Sequence, residues 1–132
     1  MGRLPAAELT ELFKGARSLV WPSEGCYEPF AYAPVESFSC GAPVIASRTG
    51  VQAEVVSNGV TRLPIEAGMP EDLTMAVQWA WEHPAEMTQM GAQARPEYES
   101  KCTAERNYPL LIGAHESAIE RAQQREHAAR AS

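Results

Sequence analysis

Residues 18–47, SLVWPSEGCYEPFAYAPVESFSCGAPVIAS, decide the fold. Ser18-Leu19-Val20-Trp21 is a compact apolar run closed by Pro22-Ser23, and Pro43-Val44-Ile45-Ala46-Ser47 is a second. Both are too short for buried helices and suit buried strands. Between them, Pro22 to Pro29 is punctuated by proline and glycine, and Phe30 to Cys40 is expected as a helix that stops at Gly41. A strand, a helix and a second strand in that order form a parallel crossover unit.

Working outward, residues 6–15 place Leu9, Leu12 and Phe13 on one helical face after Pro5 and before Gly15. On the other side, Thr49-Gly50 turns the chain into a short segment around Ala53–Val56, and Asn58-Gly59 is a turn before a third, weaker strand at 60–65. Pro70 then suits a first helical position, with Glu71 and Asp72 at the positive end of the helix dipole. Leu73, Val77, Ala80 and Trp81 are expected as its apolar stripe, and His83-Pro84 separates it from a helix carrying Met87, Met90, Ala94 and Tyr98. Trp79, Trp81, Met87 and Met90 are read as core residues. Thr103 is placed to cap a final helix, and Gln123 to Ser132 reads as a frayed polar tail. Pro96 and Pro109 fall where these helices are expected to be continuous, at a cost of about 3 kcal/mol or a break each. The whole is an α/β chain with a short parallel sheet of about three strands and C-terminal helices.

The bulk composition narrows the function classes. A chain of 132 residues with 45% hydrophobic content fits one globular domain. A net charge of -6 argues against nucleic acid as a partner. No stretch of about 18 apolar residues reads as a membrane span, and the first residues do not read as a secretory leader, so a cytoplasmic protein is expected. Cys26, Cys40 and Cys102 are widely spaced and read as packing residues in a reducing compartment, with no metal site and no cofactor expected.

Parallel open sheets bind ligands outside the carboxyl ends of their strands, and the loops Pro22 to Phe30 and Ser47 to Ala53 both leave strands at that edge. Glu28 and Glu36, if carried on one continuous helix, would be separated by roughly 12 Å of rise and about 80° of rotation. That exceeds the roughly 5 to 9.5 Å of carboxylate pairs that hydrolyse glycosidic bonds, and it suits an elongated ligand with hydroxyls at both ends. Backbone N–H groups near Phe30, Ala31 and Tyr32 would form a helix N-terminus suited to a phosphate or diphosphate. Each residue also has a plainer reading. Glu36 can be a solvated helix carboxylate, Glu28 can simply favour the helix dipole, and Glu54 can cap a short helix. Tyr27 and Tyr32 can stack on a base or sugar, although packing is the commoner role for both. His83 suits a helix C-terminus, and His115 and His127 suit helix surfaces.

The ordered set Pro22-Ser23, Glu28-Pro29-Phe30, Val35 to Ser47, Gly50, Glu54 and Asn58-Gly59-Val60-Thr61 resembles the C-terminal half of GT-B retaining glycosyltransferases of family 4, over nearly all of residues 3–121. The resemblance implies a partial GT-B C-terminal domain, a Rossmann-like three-layer half-domain that binds a nucleotide-sugar donor, over 1–122, with 123–132 as a polar tail. It implies that Glu28 meets hydroxyls of the donor sugar, that Glu36 meets the ribose, and that the backbone at Phe30 and Ala31 contacts diphosphate and sugar. Glycines common in the family are replaced here by Ala31, Val51 and Arg62. The family's acceptor site lies in an N-terminal domain, and a basic pair that clamps the diphosphate lies earlier than these motifs. The chain is therefore expected to lack turnover alone and to bind its nucleotide-sugar without metal, with the N-terminal domain or a homodimer copy as partner. Arg48 and Arg62 are the basic residues expected near the donor. The other reading is a non-catalytic module that keeps the fold and dimerises or docks a partner through its sheet edge and final helix.

Overall fold

The computed structural model of this protein describes residues 4–24, 32–48 and 60–131. Its described elements are α1 (Ala6–Gly15), β1 (Leu19–Trp21), α2 (Tyr32–Ser39), β2 (Val44–Ser47), β3 (Arg62–Ile65), α3 (Pro70–Glu82), α4 (Pro84–Lys101) and α5 (Ala104–Ala131). The short segment expected around Ala53–Val56 lies outside the described residues, as do Glu28, Phe30, Ala31 and Glu54.

The three strands are parallel in the order β1-β2-β3, with Leu19 opposite Val44 and Val44 opposite Arg62. Every residue of β2 is buried, as expected for a central strand covered on both faces. Its alternation divides the core. Val44 and Ala46 join Phe38 and Ala94, with Leu19, Trp21 and Tyr98 packed beside them. Ile45 joins Ile65, Ala80, Met87 and Met90, supported by Leu63, Leu73 and Ala76. Successive side chains of a strand point to opposite faces, so these clusters lie on the two sides of the sheet. One helix, α4, serves both: Met87 and Met90 belong to one cluster and Ala94 to the other.

The helix ends follow local chemistry. Gly41 has φ +75°, its N–H donates to Phe38 O (2.9 Å), and the N–H of Ala42 donates to Ser37 O (3.0 Å). This is a Schellman closure, and glycine permits its left-handed residue. Ser37, buried, adds an Oγ bond to Ala42 O at 3.0 Å. Pro70 stands in the first turn of α3 with Glu71 and Asp72, and Thr103 directly precedes α5.

The structure refines several expectations. The buried face of α3 is Leu73, Ala76 and Ala80, whereas Val77 is exposed and Trp81 is 74% exposed. Trp79 is also exposed, its ring stacked on His83 with centroids 4.4 Å apart, so only Met87 and Met90 of the four expected core residues are buried. Neither Pro96 in α4 nor Pro109 in α5 breaks its helix. Residues 123–131, read from the sequence as a frayed tail, continue α5.

The described chain forms two compact units, 1–99 and 100–132. The first holds the sheet and its clusters. In the second, Asn107 Nδ2 donates to the carbonyls of Lys101 (2.9 Å) and Thr103 (3.0 Å), closing the turn that leads into α5. No described helix is long and apolar enough to cross a membrane.

Candidate functional site

Each strand of a parallel sheet delivers its following loop to the same edge, so the carboxyl edge collects Pro22–Glu24 after β1, Arg48 after β2 and Glu66–Met69 after β3. The first residue of α2, Tyr32, opens from that edge, 68% exposed. Glu36 lies one turn further on the same helical face and is also exposed. None of the ion pairs among the described residues involves Glu36, whose backbone carbonyl accepts from Ser39 Oγ at 2.7 Å. The structure thus carries Tyr32 and Glu36 together on α2. Glu28, Phe30 and Ala31 lie outside the described residues.

Across the edge, the Arg48 N–H donates to Ile65 O (2.9 Å), and its guanidinium pairs with Glu66 Oε1 at 3.3 Å. Both side chains are more than half exposed, so the pair contributes at most about 1 kcal/mol and yields readily to a competing anion. The Glu66 N–H donates to Asp72 Oδ2 at 2.6 Å, which ties this loop to the first turn of α3. Gly68 has φ +73°, and a Cβ placed there would stand 3.9 Å from Glu24 Oε1. The loops after β1 and β3 therefore meet, bringing in Glu24, which sequence reasoning missed. No periodicity marks a loop glutamate; only the close approach of Gly68 reveals it.

Arg62 occupies the opposite environment. It is 1% exposed, and its Nη1 donates to Ser47 O at a long 3.4 Å. Burial, and then repulsion from Arg48, pull its guanidinium below the ordinary arginine range. Beside it Thr61, fully buried, donates its hydroxyl to Glu97 Oε2 at 2.6 Å, joining the entry of β3 to α4. Of the two basic residues expected near a donor, Arg48 is exposed at this edge, whereas Arg62 begins β3 and only its buried guanidinium reaches the carbonyl of Ser47.

The amino edge carries a cleft of about 680 Å³ lined by Lys14, Arg17, Cys40, Pro43, Met87 and Arg95, among others. Its cations have a structural explanation. Arg17 Nη1 donates to Trp81 O (2.9 Å) at the end of α3, Arg95 donates to Ser39 O at the end of α2, and Lys14 lies in the last turn of α1. Cations at helix C-termini satisfy the last carbonyls and the negative dipole end, which leaves little net attraction for an anion. The guanidinium of Arg17 also covers the Trp81 ring, 4.8 Å from its centroid, which accounts for that tryptophan's exposed position. His83 supports its helix end as expected, with Nδ1 2.8 Å from Trp79 O. Among the described residues no group of three or more His, Cys, Asp or Glu side chains could hold a metal ion.

An open parallel sheet with helices on both faces and polar groups gathered at its carboxyl edge is the architecture of a Rossmann-like half of a GT-B fold. Solved structures agree. Sucrose-phosphate synthase from Thermosynechococcus elongatus superposes with a TM-score of 0.79 and 27% identity, over 92% of this chain and 30% of that one. HepE of Anabaena, in complex with UDP, superposes at 0.74 with 20% identity, over 81% and 29%. The sequence pattern of the family described as glycosyl transferases group 1 matches residues 1–97, and the chain belongs to that family. Its relatives include the D-rhamnosyltransferase WbpZ of Pseudomonas aeruginosa, 29% identical over 105 residues, covering 79% of this chain and 28% of the relative. The D-inositol 3-phosphate glycosyltransferase of Thermobifida fusca is 31% identical over 115 residues, covering 87% and 26%. The chain therefore spans less than a third of the length of these relatives.

Proposed function

We propose that this chain is the donor-binding segment of a retaining glycosyltransferase that transfers a sugar from a nucleotide-sugar to an acceptor. The observation that carries this reading is Glu36. Its carboxylate is exposed one turn into the helix that opens from the carboxyl edge, at the position where the family resemblance puts a ribose contact. In this reading Glu36 accepts from the ribose hydroxyls and Glu28 from hydroxyls of the donor sugar. Backbone N–H groups at Phe30, Ala31 and Tyr32 receive the diphosphate. When the sugar departs, negative charge grows on the nucleoside diphosphate, and fixed cations rather than a metal stabilise it. The acceptor site is supplied from outside these residues, so the chain alone binds donor without turning it over, in the cytoplasm.

The test is thermal unfolding and calorimetry with millimolar UDP, GDP and ADP. A nucleotide present at about 100 times its dissociation constant adds roughly 2.7 kcal/mol to stability. Glu36→Ala is expected to weaken the preferred nucleotide about tenfold, the scale of a lost charge-assisted hydrogen bond pair, without lowering the unfolding midpoint of the free protein. A wild type that shows no shift with any of the three sinks the proposal.

A second reading, a dimerisation or partner-docking module without catalysis, is favoured by one observation: the two edges of the sheet differ. The carbonyls of Thr61 and Ile65 accept from β2, so the outward-facing backbone of β3 belongs to Arg62 and Pro64, and proline has no N–H to offer a further strand. On β1, the N–H of Leu19 faces β2, so the backbone of Val20 faces outward with no such block, and its side chain is 42% exposed.

A further inference from the structure

We propose that the face of α3 and α4 beside β3 is a docking surface for a cationic amphipathic helix of a partner protein, anchored on Trp79 and steered by the carboxylates around it. It does not rest on the donor-binding reading.

Two hollows meet at Trp79. One, of about 400 Å³, is lined by Val60, Trp79, Glu86, Gln89 and Met90, among others. The other, of about 350 Å³, is lined by Leu63, Pro64, Asp72, Met75 and Trp79, among others. They follow one another along the outer side of β3, with Val60 just before the strand and Leu63-Pro64 within it. Met75 and Trp79 are one helical turn apart on α3, 62% and 36% exposed. An exposed apolar pair at that spacing, with a hollow on its flank, suits the side chains of a second helix laid against it. The indole is stacked on His83, so it has little rotamer freedom left to lose when a partner arrives.

Charge selects the partner. All 11 Lys and Arg residues of the chain lie outside residues 63–94, a stretch that holds Glu66, Glu71, Asp72, Glu82 and Glu86. Of these five carboxylates, only Glu66 takes part in an ion pair among the described residues. Asp72 lines one hollow, Glu86 the other, and Glu82 lies one turn beyond Trp79. Carboxylates gathered around an apolar pair repel phosphate-bearing ligands and acidic segments and attract Lys and Arg.

The backbone of β3 selects the partner's secondary structure. Its outward-facing positions are Arg62 and Pro64, and the proline has no N–H, so an extended segment cannot continue the ladder there. A helix satisfies its own backbone and needs no ladder.

The experiment uses the full chain and a synthetic amphipathic helix of leucine and lysine about 18 residues long, or five turns. Two companion peptides carry glutamate in place of lysine, or the same residues with the leucines scattered round the helix. Affinities are measured by fluorescence anisotropy of the labelled peptides for wild type, Trp79→Ala, Glu86→Lys and Glu8→Lys. Glu8, exposed on α1, gives the same change in net charge beside a different hollow. Wild type is expected to bind the first peptide at least about tenfold more tightly than either companion, and less tightly as salt rises. Trp79→Ala and Glu86→Lys are each expected to lose about tenfold, the scale of one aromatic anchor or one charge contact, while Glu8→Lys matches wild type. Equal binding of the scattered peptide, or equal weakening by Glu8→Lys and Glu86→Lys, means attraction to net charge alone and overturns the proposal. A wild type that binds none of the peptides also overturns it. Should Trp79→Ala fail to fold, Met75→Ala takes its place, its side chain being more exposed. Self-association of the wild type that Glu86→Lys abolishes assigns the face to a second copy of this chain and overturns the choice of partner.

Discussion

A methyl group at Gly91 would sit 2.5 Å from the carbonyl oxygen of Gly41, whereas one at Gly113 would meet nothing within 4 Å. Both glycines are inside helices, where alanine is favoured by about 1 kcal/mol. At Gly91 that gain is overwhelmed, because the obstructing atom is backbone in the closing turn of α2 and cannot swing aside. Gly91→Ala is expected to destabilise by about 1–3 kcal/mol, the range for overpacked sites, and Gly113→Ala to stabilise by about 1 kcal/mol. Urea unfolding checks the pair, and equal shifts of one sign would refute the close approach of α4 to that turn. The same scale shows what the sequence could disclose about the site. Glu36 was singled out because its neighbours carry a recognisable order of residue types, and the structure shows it exposed on α2. Glu24 was not, since it acquires meaning only where Gly68 comes close to it. Arg62 was visible as a departure from glycine, but its burial and its reach to Ser47 are properties of the packed sheet.

At the scale of elements, the strands and the Gly41 stop were legible because short apolar runs and a glycine-closed helix have few alternative readings. The second of these even yields its hydrogen bonds, since the Schellman geometry follows from glycine in the left-handed region. The face of α3 was misjudged for a physical reason. The residues it packs on the core include two alanines, buried Ala80 and partly buried Ala76, which contribute little to a hydrophobic pattern, while Val77 and Trp81 contribute much and are exposed. Bulk drew the expected stripe towards Trp81, which is satisfied instead by Arg17. Of the two outcomes expected at the prolines, a cost of about 3 kcal/mol or a break, the break does not occur. Proline inside a helix loses one hydrogen bond and crowds the preceding turn, but packing on either side can hold the helix together. In α4 that packing is visible, with Met87, Met90 and Ala94 buried before Pro96 and Tyr98 packed after it. The strain is then still present and recoverable. Because Pro96 is exposed, Pro96→Ala removes no core contact and is expected to raise stability by up to about 3 kcal/mol, seen as a higher unfolding midpoint. A lower midpoint would mean that the helix geometry depends on the proline.

At the scale of the molecule, the sheet separates the surfaces that the two readings of function would use. Each half of a doubly wound sheet of strand order 3-2-1-4-5-6 has its strands in consecutive order, as β1-β2-β3 are here, and such sheets have their ligand crevice at the carboxyl edge. Among the described residues one edge of the sheet carries Pro64, and on the other the backbone of Val20 faces outward. Unpaired strand edges attract further strands, and proteins blunt them with proline or lysine when no partner is intended. Within the strands themselves only β3 carries a proline, while on the β1 side Pro22 stands just past the strand end, beyond Val20. The docking reading therefore predicts that light scattering of the wild type shows mass rising with concentration, and that Val20→Lys restores the monomer with little loss of stability, Val20 being partly exposed. Adding the preferred nucleotide separates the readings further. The proposed donor site lies beyond the ends of the strands and the proposed pairing edge runs along the side of β1, so both can operate in one molecule. Association lost in Val20→Lys with nucleotide binding intact would show two independent surfaces. A wild type that stays monomeric at every concentration would leave donor binding as the sole function for which this half-sheet is built.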